Sequence, residues 1–199
     1  METEKYTSER VLTILLKEPF SVHTATSLAK TLRITRQGIW KRLNKLRKSD
    51  LVNLEFVGKT KTSTATVKLN WANPITEKTL SLLLMKESLK LQRWRANFAE
   101  LENNTDFLIL FGSILINPKE ANDIDILLVA NKKKFKTIET IVIKIQQTQL
   151  KKIHLIDLTA VEFSYELKKS NKSYIDAVKK GMVLYGQDSF VQFIKDLQK

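Results

Sequence analysis

Asp123 and Asp125 are the residues of this 199-residue chain whose spacing most plainly suggests chemistry. They flank Ile124 in the run Asp123-Ile124-Asp125-Ile126-Leu127-Leu128-Val129, which reads as a strand. Side chains two apart on a strand share a face. Two carboxylates held that close repel one another unless a cation neutralises them. Hard oxygen ligands of this kind suit magnesium, which is held by one or two carboxylates together with substrate phosphates. Gly112-Ser113 follows a second apolar run, Phe107 to Phe111. Gly112 leaves the backbone open to a phosphate, and Ser113 offers it a hydroxyl or an amide. A third run, Ile153 to Leu158, carries His154 and Asp157. They are an odd number of residues apart, so a regular strand turns Asp157 away from His154; only a strand end or a bulge brings it back. His154 itself can serve as a neutral general base.

A second set of residues is cationic. Arg33, Arg36, Lys41, Arg42, Lys45, Arg47 and Lys48 place seven cations within sixteen residues and no acid among them. Thr35 can cap a helix running to about Lys48, with Ile39, Leu43 and Leu46 as its buried stripe. Arg36, Gln37 and Lys41 avoid that stripe. A helix fits the major groove, and Arg and Gln make paired contacts to base edges there. Arg42, Lys45 and Lys48 read as phosphate contacts, which add affinity without sequence information. Lys59 and Lys61 fall at the tip of a following hairpin and could reach a flanking backbone. The alternative is a protein-interaction module with a solvated basic face. Trp40 lies beside the buried stripe and reads as core. His23 reads as a local hydrogen-bonding residue.

Charge follows the same division. The net charge is +13, and residues 1–70 hold 14 basic against 6 acidic side chains. That imbalance favours a polyanionic partner such as double-stranded DNA. The chain contains no Cys and only two His, which excludes disulfides and thiolate zinc sites. No apolar run approaches the roughly 20 residues of a membrane span. The first residues contain no apolar signal core, and the expected location is cytoplasmic.

The elements that must position these groups follow from periodicity. Helices are expected from a Ser8 cap to Lys17, over Ala25 to Thr31, and from Arg36 to Lys48. Leu51 to Val57 and Thr64 to Leu69 read as strands joined by a turn over Gly58 to Ser63. Ile75 to Leu101 reads as one long helix. Its apolar positions, from Leu80 to Phe98, suit either a homodimer or packing onto the chain's own domains. Beyond it come three strands (107–111, 124–129 and 153–158), a helix from Phe135 to Gln149, and helices over 161–167, 174–180 and 190–197. The Lys132-Lys133-Lys134 run reads as a solvated loop. The expected domains are 1–72, a connector at 73–102, and 103–199, in the α+β class.

Three short helices and a two-stranded ribbon resemble a winged helix-turn-helix domain. Gly112-Ser113, Asp123-x-Asp125 and the segment Tyr174 to Gly186 resemble the nucleotidyltransferase superfamily that includes DNA polymerase beta, over roughly residues 103–187. That resemblance implies that Gly112 and Ser113 grip a nucleoside triphosphate. It also implies that Asp123 and Asp125 carry magnesium, and that a third carboxylate completes the site. His154 falls where that carboxylate is expected. Ile114 to Pro118 lacks the cation and second glycine that usually follow Gly-Ser, so the resemblance is to a degenerate site. Together these features imply a DNA-binding transcriptional regulator fused to a nucleotidyltransferase-like domain that binds nucleotide or supports dimerisation. A magnesium-dependent nucleotidyltransferase is the alternative. A small toxin or another protein is a further partner the resemblance allows.

Overall fold

The structure, a computed structural model, describes residues 2–57 and 64–198. It is mixed α and β with two sheets. The chain divides into two compact units, one ending at Leu83 and taking in Gln198, the other running from Leu84 to Leu197.

The first unit opens with α1 (Glu2–Lys17), α2 (Ala25–Leu32) and α3 (Arg36–Lys48). Helix α1 begins six residues before the expected Ser8 cap, so Ser8 lies inside it. The Thr24 hydroxyl caps α2 by accepting from the Ser27 amide, and the Ser27 hydroxyl accepts from the Thr24 amide in return. Arg33 ends α2 in the left-handed region at φ 53°, and Thr35 caps α3 as expected. Ile39, Leu43 and Leu46 are buried. Each contributes about 1.5–3 kcal/mol of apolar burial, which fixes the rotation of α3 about its axis. Strands β1 (Val52–Val57) and β2 (Thr64–Leu69) pair antiparallel from Val52↔Leu69 to Val57↔Thr64. The Val67 amide donates to the His23 carbonyl and Thr24 bridges to Thr66, so the start of α2 is tied to β2.

Helix α4 (Pro74–Leu89) carries the chain out of this unit. The expected single helix over 75–101 is broken into three pieces. α4 ends at Leu89, α5 covers Gln92–Asn97, and a 3-10 turn covers Ala99–Asn104. No Gly or Pro makes the break. The amides of Lys90 and Leu91 bond instead to Glu87 and Ser88, three residues back, and the Ser88 hydroxyl donates to the Met85 carbonyl. The packing of Leu91, Trp94, Phe98 and Leu101 against the second unit's core favours this break over helical continuity. Leu80, Leu83, Leu84 and Phe98 are buried, whereas Leu82 and Leu89 are exposed.

The second unit is built on a mixed sheet of order β5-β4-β3-β6. Its strands are β3 (Phe107–Phe111), β4 (Asp123–Val129), β5 (Lys152–Leu158) and β6 (Met182–Tyr185). β4 runs antiparallel to β3 and parallel to β5. The parallel pair requires a crossover, supplied by α6 (Phe135–Gln146). Leu108, Leu110, Ile124, Ile126, Leu128 and Ile153 face α6, whose Ile138, Val142 and Ile145 close that layer. The opposite face carries Phe107, which meets the rings of Phe163, Phe190 and Phe193 from α7 (Ala160–Lys168) and α9 (Gln187–Leu197). Helix α8 (Lys172–Lys180) packs against β3 and leads into β6, an edge strand. A register shift between Leu108 and Ile109 lets Leu184 and Tyr185 both face the α6-side core.

Candidate functional site

The carboxylate pair sits where β3 ends and β4 and β5 begin. Asp123 and Asp125 project from β4 on the face away from α6, since Ile124 and Ile126 between and beyond them enter the α6-side core. β4 and β5 pair without a break over seven residue pairs, and Asp125 lies opposite His154. That register brings the imidazole to the carboxylates. His154 Nδ1 is 3.2 Å from Asp123 Oδ2 and 3.4 Å from Asp125 Oδ1. Ligand atoms of all three residues lie within 4.8 Å of one another, and among the described residues this is the one such group of metal-ligating side chains.

Gly112 frames the group from β3. Its φ is 83°, and a Cβ there would lie 2.2 Å from Asp125 Oδ2. The Asp125 carboxylate occupies the position that a side chain at residue 112 would take. Ser113 opens the following 3-10 turn and is exposed. Burial pushes the Asp125 carboxyl above its ordinary value, the charge of Asp123 adds to the push, and the hydrogen bond from His154 opposes it.

Asp157 stays apart. The unbroken register pairs it with Leu128, which faces α6, so it lies on the other side of the sheet from His154. No bulge brings it round. The expected donor set for a magnesium pair therefore does not fit. Two carboxylates and an imidazole converge here, and imidazole suits borderline transition ions rather than magnesium.

The cationic helix forms a different surface, in the first unit. Gln37, Lys41, Asn44 and Lys48 recur at intervals of three or four residues and are all exposed. Arg36, Lys45 and Arg47 flank this stripe and are also exposed. Arg42 is different: it is half-buried, and its Nη1 donates to the Gly38 carbonyl at 2.9 Å. It turns back along its own helix. Arg33 is exposed in the turn before α3. Trp40 is half-buried at the stripe's edge. His23 is buried, with Nε2 3.3 Å from the Glu18 carbonyl, the local role expected of it. Lys59 and Lys61, with the turn over Gly58 to Ser63, lie outside the described residues.

Asn44 was not among the expected contact residues. Its amide can pair with adenine as Gln does. Continuing the Gln37–Lys41 interval by three residues would have found it. Comparison of the chain with protein-family models, curated proteins and solved structures gives no match.

Proposed function

We propose that this chain is a sequence-specific double-stranded-DNA-binding protein, a transcriptional regulator of the cytoplasm. In this reading the first unit is a winged helix-turn-helix whose α3 enters the major groove. The second unit is a nucleotidyltransferase-like domain that has lost its third carboxylate. The observation that carries the reading is the exposed, acid-free stripe Gln37–Lys41–Asn44–Lys48, flanked by Arg36, Lys45 and Arg47. It mixes amides that can read bases with cations that can hold phosphates, on a helix whose rotation is fixed by its buried face.

The test is fluorescence anisotropy with a duplex selected from a random pool, repeated across a salt series. The double variant Arg36→Ala/Lys41→Ala should weaken binding by about two orders of magnitude. Lys48→Ala should weaken it on every sequence alike and make the salt slope shallower by about 1. Unchanged affinity in the double variant would refute the docking of α3.

Nucleotidyl transfer is the second reading, favoured by the convergence of Asp123 and Asp125. Incubation with α-labelled nucleoside triphosphates and magnesium tests it. Transfer lost in Asp123→Asn with DNA affinity retained would support it; no transfer to protein, nucleic-acid or small-molecule hydroxyls would refute it.

A further inference from the structure

We infer that Asp123, Asp125 and His154 hold a single zinc-class divalent ion in preference to magnesium. The ligand types argue it first. Imidazole nitrogen ranks zinc above magnesium, and two carboxylates supply the negative charge that one divalent ion needs. The scaffold argues it next. All three side chains stand on paired strands in an unbroken register, so their placement follows from the sheet. The three groups also converge: their ligand atoms lie within 4.8 Å of one another, with His154 Nδ1 3.2 and 3.4 Å from the two carboxylates. The His154 side chain is 46% exposed, so the group can be reached from solvent.

The inference does not depend on the DNA-binding reading, and its test is separate. Full-length chelator-treated protein is titrated with zinc chloride by calorimetry, and with cobalt chloride by visible absorption, each with and without excess magnesium. One ion per chain is expected, with zinc at least about 100-fold tighter than magnesium. The cobalt form should show the intense bands of a four-coordinate site. In proton NMR the two imidazoles of the chain should respond differently, with His154 shifting and His23 not. His154→Ala should lose at least about 10-fold in zinc affinity, and His154→Asp should narrow the preference for zinc over magnesium. Zinc affinity unchanged in His154→Ala, an unshifted His154 imidazole, or magnesium bound as tightly as zinc would each overturn the inference. The NMR readout uses the unaltered chain, so a folding defect in a variant does not obscure the answer. DNA affinity measured on the same preparations separates failure here from failure of the nucleic-acid reading.

Discussion

At the scale of single residues, Gly112 joins the fold to the candidate site. Its backbone, at φ 83° and ψ −164°, lies in a region essentially confined to glycine, and the Asp125 carboxylate fills the place of its missing side chain. Gly112→Ala should therefore cost roughly 2–4 kcal/mol, part backbone strain and part collision. The collision belongs to one partner, so Gly112→Ala/Asp125→Ala should lose less than the sum of the single variants. A urea-denaturation cycle on the four proteins checks this; strict additivity would mean that Asp125 moves aside freely. The carboxylate pair and the glycine stood out in the sequence by residue type and spacing. That the glycine serves the carboxylate could not be read there. It depends on β3 and β4 pairing so that Phe111 lies opposite Asp125.

At the scale of elements, local chemistry set most boundaries. Thr35 starts α3 and Thr159 starts α7, each through a hydroxyl that accepts from an amide three residues on. In α7 the cap is reciprocal: the Thr159 amide and hydroxyl both donate to Glu162 Oε2 at 2.8 Å. These bonds, that from the backbone amide first, hold the Glu162 carboxyl below its ordinary value of 4.5. A depressed folded-state value means that the ionised form stabilises the fold. That stabilisation is complete above 4.5 and is lost as pH falls through the lower folded value. Glu162→Gln should then show a smaller loss of Tm between neutral and acid pH than the parent chain, in melts recorded side by side; equal losses would mean the cap does not titrate. The segment after α4 shows where local chemistry stops deciding. Leu80, Leu84, Leu91, Trp94 and Phe98 keep a helical interval, and nothing local opposes one helix. The break at Lys90 and Leu91 comes from where those side chains are buried.

At the scale of the whole molecule, the apolar segment over 80–98 divides: Leu80, Leu84 and Phe98 are buried, and Leu82 and Leu89 are exposed. Phe98 is fully buried in the core on the α6 side of the second unit's sheet. Phe98→Ala should lower stability by about 3–5 kcal/mol and leave the sedimentation coefficient of the folded protein unchanged. A shift in oligomeric state without loss of stability would support a dimer role for this segment. The sequence by itself determined the α+β class, most of the helices and strands, the acid-free cationic helix and the shared face of Asp123 and Asp125. Those properties depend on residues near one another in the chain, through periodicity of two or 3.6 and through capping. Only the tertiary structure decided that β5 pairs with β4 in parallel and places His154 against both carboxylates while Asp157 faces away. It alone turned Arg42 back to the Gly38 carbonyl and ended α4 at Leu89. These depend on strand register and on which side chains share a core, and both are settled by contacts between residues far apart in the chain.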